Sequence, residues 1–215
     1  MLLDPPVIYD ISPRVHAGIA VWPGDVAFRR DVAYSQAKGD HLDLSAIHTT
    51  VHVGAHCDAP NHYVPDGVGI DQRPLEPYLG RCQVVSVSID RGERIRPEHL
   101  STPVGEPRVL LRTGTFPDPD HFNEDFAALH PDLVEHLAAC GVRLVGIDTP
   151  SVDLCHDTAL LAHHAIARHD LSILEGIVLD GVPDGTYLLS ALPLRLADAD
   201  ASPVRAVLAG LGSLS

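Results

Sequence analysis

Three histidines and an aspartate fall within residues 52–62, which read His-Val-Gly-Ala-His-Cys-Asp-Ala-Pro-Asn-His. Residues 47–53 are rich in β-branched types and predict a strand. On a straight strand His52 and His56 would lie roughly 13 Å apart at about 3.3 Å per residue, too far to share one ion through bonds of about 2.1 Å. The chain must therefore bend, and Gly54 is where a bulge or kink costs least.

The side chains of this segment are those that a borderline metal ion prefers. Imidazoles and a carboxylate suit zinc, manganese or iron, and a site with few protein ligands leaves room for a bound water. A solvated, histidine-rich surface loop is the competing explanation, since the chain holds 14 histidines. A surface loop could explain any one of the four residues taken alone, but it explains less well why all four occur together. The four are His52, His56, Asp58 and His62. Nearby His48 is interpreted as structural.

A helix is the alternative local structure, because it would also place His52 and His56 on one face. Gly54 and Pro60 weigh against a helix in so short a span. The favoured prediction is a strand that breaks into a loop carrying Asp58 and His62.

Residues 156–180 supply a candidate for the remaining ligands. Residues 158–168 predict a short helix, capped by its first residue or by Asp157. Residues 171–180 predict a buried strand, in which Glu175 is costly unless a cation or hydrogen-bond donors compensate its charge. The alternative is that Glu175 faces solvent, which the adjacent Gly176 would allow.

The pattern His-x-Gly-x-His-x-Asp-x-Pro-x-His at residues 52–62 resembles the signature of the cyclase-type metal-dependent hydrolases, and more narrowly of their bacterial kynurenine formamidase (arylformamidase) branch. Four further motifs appear in that family's order and spacing: Asp-Ile-Ser-Pro at 10–13, Ala-Val-Trp-Pro-Gly-Asp at 20–25, Gly-Ile-Asp-Thr-Pro-Ser at 146–151 and Ile-Leu-Glu-Gly at 173–176. The resemblance runs from about residue 7 to about residue 211.

The resemblance implies two zinc ions with five ligands: His52, His56, Asp58, His163 and Glu175. Asp58 would bridge the ions, and Glu175 would touch both. The family's spacing between the late histidine and the glutamate selects His163 over its neighbour His164. Manganese, iron or cobalt would also suit these ligands. Cys57 departs from the small or apolar residue expected there, but alternation along a strand turns it away from the ligand face.

The same resemblance implies hydrolysis of N-formyl-L-kynurenine to L-kynurenine and formate in tryptophan degradation. A zinc-bound hydroxide would attack the formyl carbon. His62 would shuttle a proton to the leaving nitrogen, because imidazole titrates near neutral pH. Trp22 would contact the aromatic ring of the substrate; from the sequence alone, a core anchor for an N-terminal hairpin explains it equally well.

Two other functions remain open from the sequence. One is a sister hydrolase with the same two-metal site, acting on another small amide or a cyclic imide. The other is a non-catalytic metal-binding protein on a decayed scaffold, against which His62 and the full ligand set argue. No Gly-x-Ser-x-Gly elbow and no Gly-rich phosphate loop occurs, so a serine hydrolase or a nucleotide cofactor is not expected.

The composition of the chain limits the classes of partner that it is expected to bind. Fifteen basic residues against 29 acidic ones give a formal charge of −14, which disfavours nucleic acids and anionic membranes as partners. Four cysteines without a Cys-x-x-Cys pair, and no basic and apolar leader, predict a cytoplasmic enzyme. The resemblance adds a homodimer as the expected assembly, in which the neighbouring chain helps shape the pocket.

The coarse pattern predicts a mixed α/β fold with a predominantly β core and a few helices, in a single domain spanning 1–215. Strands are predicted at 7–11, 19–22, 27–32, 47–53, 82–89, 108–112, 142–147, 171–179, 187–189 and 204–208. Besides the helix at 158–168, a helix is predicted at 131–140, which begins with a proline and is followed by a glycine. The resemblance implies a swivelling β/β/α architecture.

Overall fold

A seven-stranded mixed sheet organises the computed structural model, which describes residues 7–211. The strands are β1 (Ile8–Asp10), β2 (Arg29–Tyr34), β3 (Leu44–His48), β4 (His56–Asp58), β5 (Leu79–Ser86), β6 (Arg94–Ile95), β7 (Arg108–Arg112), β8 (Ala128–Leu129), β9 (Leu144–Ile147), β10 (Ser172–Leu174), β11 (Gly185–Ser190), β12 (Ala201–Pro203) and β13 (Val207–Gly210). The helices are α1 (Pro131–Ala139) and α2 (Leu161–Arg168). Single 3-10 turns lie at Gln36–Lys38, Pro60–His62, Ile70–Gln72, Glu76–Tyr78 and Pro97–His99.

The strand order of the main sheet is β1-β13-β11-β5-β7-β9-β10. The half from β5 to β10 is parallel, and the half from β1 to β5 is antiparallel. Parallel neighbours need crossover connections, and α1 and α2 supply them for β7 to β9 and for β9 to β10. The predicted mixed α/β class with few helices is confirmed.

Both faces of the parallel half are buried, so its strands carry apolar residues almost continuously rather than in alternation with polar ones. Val109 and Leu111 of β7 pack on the helix side, whereas Leu110 between them packs on the opposite side. Ile173 and Leu174 of β10 divide between the same two sides. Packing on both faces therefore defines where the carboxyl ends of these strands lie.

Several predicted strands are shorter or absent. Residues 19–22 form no strand, because their backbone bonds to the chain around Pro119 instead of to a sheet neighbour, with Ala20 N donating to the Pro119 carbonyl. The strand predicted at 47–53 ends at His48. The strand predicted at 171–179 covers only Ser172–Leu174, since Gly176 takes a φ of +64° and turns the chain.

The helix predicted at 158–168 begins later, at Leu161. Asp157 does accept the Ala159 N–H, but the helix N-terminus itself is capped by a residue further back, Asp153, which accepts the N–H groups of Ala162 and His163. The helix predicted at 131–140 is confirmed as α1.

No helix within residues 7–211 combines the length and the apolar composition that crossing a bilayer requires.

Candidate metal centre

The candidate site lies at the carboxyl ends of the parallel strands. Residues 148–153 follow β9, and Glu175 follows β10 directly. The edge beyond the carboxyl ends of parallel strands is where open α/β sheets usually bind ligands. The site therefore forms at the carboxyl end of the parallel half of the sheet.

The His52–His62 segment reaches this edge by a sharp bend. Gly54 takes a φ of +60°, the left-handed conformation that glycine adopts at least cost, which confirms the bend predicted there. Beyond the bend the chain re-forms a strand, β4, so Asp58 lies on a strand rather than on the predicted loop. His62 lies in the 3-10 turn that follows.

A backbone bridge joins the two parts of the site. His56 N donates to the Glu175 carbonyl at 3.1 Å, and Glu175 N donates to the His56 carbonyl at 2.9 Å. The imidazole of His56 is oriented by a contact of 2.9 Å between Nδ1 and the Gly54 carbonyl. This contact leaves Nε2 facing inward, 3.1 Å from Oε2 of Glu175.

Asp58 lies at the centre of the cluster. Its Oδ1 is 3.2 Å from His52 Nδ1 and 3.5 Å from His56 Nε2, and its Oδ2 is 3.5 Å from His163 Nε2. Nε2 of His163 is also 4.0 Å from Oε1 of Glu175. The five side chains predicted as ligands thus converge around one small volume.

The donor set fits a divalent cation. Among the described residues, His56 Nε2 and both carboxylate oxygens of Asp58 are buried atoms without a hydrogen-bond partner. A buried polar atom left unpaired costs about 1–3 kcal/mol, and more if it is charged. His52, His56 and Asp58 also bring ligand atoms within 4.8 Å of one another. Unpaired ligand atoms at such spacing are what a metal site requires.

The pKa values of the clustered side chains reflect how strongly these groups interact. Burial disfavours charged imidazoles, yet the nearby carboxylates of Asp58 and Asp200 raise the pKa of His52 to about 9. Burial is likewise outweighed at His163, where the nearby carboxylates of Asp153 and Asp58 raise the pKa to about 10. Although burial opposes its ionisation, the contacts to His163 and His52 hold the pKa of Asp58 well below its usual range. The imidazoles and carboxylates of the cluster therefore interact strongly with one another.

His62 stands at the rim of the cluster, with its side chain 37% exposed. Its ring lies 4.4 Å from the ring of His52 and 5.9 Å from that of His163, centroid to centroid. Burial lowers the pKa of His62 from its ordinary value. Asp200 lies between His52 and His62. Its Oδ2 is 3.0 Å from His52 Nε2 and 3.7 Å from His62 Nδ1.

An aromatic wall closes one side of a cavity of about 550 Å³ above the cluster. Trp22 packs edge-to-face on Phe122, with ring centroids 5.5 Å apart, and Phe116 packs on the same phenylalanine at 5.7 Å. Trp22 is 36% exposed and lines the cavity, as do His62 and Glu175. The indole therefore faces the candidate site and is not only an anchor in the core.

The structure separates the histidines that the sequence left ambiguous. His163 is buried and turned toward Asp58, whereas its neighbour His164 is exposed. His48 is exposed on β3 and lies outside the cluster. Cys57 is fully buried and points away from the site, with its thiol toward the Ala191 carbonyl.

Two carboxylates of the site escaped sequence reasoning. Asp153 contacts Nδ1 of His163, and Asp200 contacts Nε2 of His52. Asp200 directly precedes β12, far along the chain from His52. No sequence pattern around Asp200 predicts its contact with His52. Asp153 could have been suspected, because it lies two residues beyond the motif at residues 146–151.

Comparisons with known proteins agree with this geometry. The model of the family described as "Putative cyclase" matches residues 9–154. A kynurenine formamidase of Maricaulis maris (strain MCS10) is 45% identical over 203 residues, covering 94% of this chain and 97% of that protein. One of Bordetella petrii is 44% identical over 207 residues, covering 95% and 99%. A solved structure described as a potential metal-dependent hydrolase with cyclase activity has a TM-score of 0.79 at 28% identity, covering 94% of this chain and 96% of that one.

Proposed function

The chain belongs to the cyclase family and is a relative of its kynurenine formamidases, and on this premise we propose that it hydrolyses N-formyl-L-kynurenine to L-kynurenine and formate. The observation that carries the proposal is the buried cluster of unpaired ligand atoms beneath an aromatic wall. The reaction belongs to tryptophan degradation, and it cleaves a linear amide.

We propose that the cluster holds zinc, with two ions per chain; manganese, iron and cobalt suit the same ligands. The proposed ligands are those that converge in the structure: His52, His56, Asp58, His163 and Glu175. Metal held there would lower the pKa of a coordinated water and polarise the formyl carbonyl. Asp58 would contribute both of its carboxylate oxygens as ligands, because Oδ1 faces His52 and Oδ2 faces His163.

His62 is the proposed proton shuttle. Its lowered pKa keeps the imidazole neutral near pH 7, so it can accept a proton from the attacking water. Its place at the rim then allows it to deliver that proton to the aryl nitrogen, which is a poor leaving group as an anion. Asp200 is near enough to Nδ1 of His62 to bias the orientation of the ring.

Trp22 is the proposed contact for the aryl ring of the substrate. Trp22, Phe122 and Phe116 form a continuous aromatic surface, and aromatic pairs gain about 0.5–1.5 kcal/mol beyond the area that they bury. The wall and the cluster line the same cavity, so one substrate could contact the wall through its ring and the histidines through its formamide.

A homodimer is the proposed assembly, and the arm formed by β2 and β3 is its proposed interface. All residues of both strands are exposed, and Ile47 is 67% exposed. A two-stranded ribbon is marginal by itself in water, so a surface that covers it would stabilise it. The arm leads into the site, since Thr50 N donates to the Val26 carbonyl at its base.

A substrate panel and one variant test the proposed function. The purified, zinc-loaded chain should hydrolyse N-formyl-L-kynurenine, measured by kynurenine absorbance, faster than an aliphatic formamide or a cyclic imide. Preference for the cyclic imide would instead assign a sister hydrolase activity. Changing His62→Ala should lower kcat by about 10²–10⁴-fold while the metal content stays the same. His136→Ala, at an exposed histidine on α1 outside both the cluster and the arm, is the matched control.

A further inference from the structure

We propose that Asp153 is a positioning residue of the metal centre, which holds His163 in the orientation and the tautomer that turn Nε2 toward Asp58. The inference rests on the metal site of the proposed function. It concerns a residue that would touch neither metal nor substrate. Asp153 is 1% exposed and lies directly behind His163.

The contacts of Asp153 define its role. Oδ2 is 2.8 Å from Nδ1 of His163 and accepts the N–H of the same residue at 3.0 Å. Both carboxylate oxygens also accept the Ala162 N–H, at 2.9 and 3.0 Å. Asp153 thus fixes the first turn of α2 and the imidazole that projects from it. Leu160, the residue just before α2, makes no side-chain hydrogen bond that could cap the helix.

The tautomer follows from the chemistry of the contact. An ionised carboxylate can only accept hydrogen bonds, so Nδ1 of His163 must carry the hydrogen that it shares with Asp153. In the neutral ring, the lone pair is then on Nε2, the atom that faces Asp58 Oδ2 at 3.5 Å. Metal-bound histidines are commonly fixed by a carboxylate on their other nitrogen in this way.

A positive charge secures Asp153 in place. Arg94 donates from Nη1 to Oδ1 of Asp153 at 2.8 Å and from Nη2 to Asp157. The side chain of Asp157 is 15% exposed and accepts the N–H groups of Ala159 and Leu161 at the start of α2, but it has no contact with His163. Asp157 is therefore a matched control, since it shares the same guanidinium and the same helix start.

Adjacent residues hold both ligands of this half of the site. Val152 N donates to Oε1 of Glu175 at 2.7 Å, and Asp153 holds His163. Ser151 accepts the Asp153 N–H through its hydroxyl at 3.1 Å, which braces the loop. The segment after β9 therefore orients His163 and Glu175 together.

The test measures zinc affinity on metal-free chains, by competition with a chromophoric chelator. Every group that contacts the side chain of Asp153 is a hydrogen-bond donor. In Asp153→Asn, the N–H groups of the new amide would therefore face another donor and could not form a hydrogen bond with it. Loss of such an outer partner typically weakens metal binding by about 10–100-fold, and we expect a loss of that size. Asp157→Asn should leave the affinity unchanged, and His163→Ala should weaken it at least as much as Asp153→Asn. Circular dichroism checks that each variant is folded.

The outcomes separate the inference from the proposed site. If His163→Ala weakens zinc binding but Asp153→Asn does not, the positioning role is wrong and the site stands. If neither weakens it, the proposed ligand set fails too. Should Asp153→Asn not fold, long-range ¹H–¹⁵N correlation of the zinc-loaded wild type decides. Hydrogen on Nδ1 with Nε2 bound to metal supports the inference, and the reverse arrangement overturns it.

Discussion

Gly176→Ala would test how closely the two halves of the site must approach. A Cβ atom added at Gly176 would lie 2.3 Å from the Gly54 carbonyl oxygen and 3.0 Å from its carbon. Both atoms belong to backbone, so no flexible side chain can move to make room. The bridge between His56 and Glu175 lies immediately beside this contact, because each glycine is one or two residues from it.

Two terms set the size of the effect. Gly176 has a φ of +64°, and a left-handed alanine costs about 1–2 kcal/mol. Forcing a methyl group into a closely packed contact adds about 1–3 kcal/mol. The free energy of unfolding should therefore fall by about 2–5 kcal/mol. Relief of the clash also requires His56 and Glu175 to move apart, so zinc affinity should fall with stability.

Gly181→Ala is the control, since Gly181 has a φ of +72° and its added Cβ would meet nothing within 4 Å. It carries the backbone strain without the clash, so it should lose only about 1–2 kcal/mol and keep its zinc affinity. Urea unfolding of the metal-free chains measures the first quantity, and chelator competition measures the second. Equal losses of stability in the two variants, or unchanged zinc affinity in Gly176→Ala, would refute this reasoning.

Three further predictions concern other parts of the molecule. Trp22→Leu should raise KM for N-formyl-L-kynurenine about 2–13-fold, as loss of an aromatic contact of about 0.5–1.5 kcal/mol implies, with zinc content unchanged. Arg108→Met should lower the free energy of unfolding by about 1–3 kcal/mol in urea, because the buried guanidinium donates to the carbonyls of Pro77 and Arg81. Ile47→Asp should convert the proposed dimer to a monomer in light scattering; a dimer that persists would exclude the arm as its interface.

The local chemistry of the site could be predicted from the sequence. The His52–His62 segment signals a metal site by residue type and spacing, and its bend was predicted from distances along a strand. Glu175 was singled out because a carboxylate in an apolar run needs compensation, and the structure buries it against His56. Inferences of this kind succeed because the cost is local and each residue type has few ways to meet it.

What sequence reasoning missed depends on contacts across long separations. Asp200 is 148 positions from His52, and no pattern near either residue links them. The strand predicted at 19–22 failed because a loop near Pro119, rather than a strand, takes its hydrogen bonds. The strand predicted at 171–179 was too long, because one glycine, Gly176, turns the chain where the site requires it. Which residues come into contact across such long separations in the sequence is determined by the whole fold.

The most direct test of the central claim is turnover of N-formyl-L-kynurenine by chain treated with a chelator and then resupplied with zinc, followed by kynurenine absorbance. Turnover should disappear when the metal is removed and return when it is resupplied. Turnover that survives complete removal of metal, verified by elemental analysis, would contradict the metal-dependent mechanism. A folded, zinc-loaded chain with no turnover would contradict the formamidase assignment.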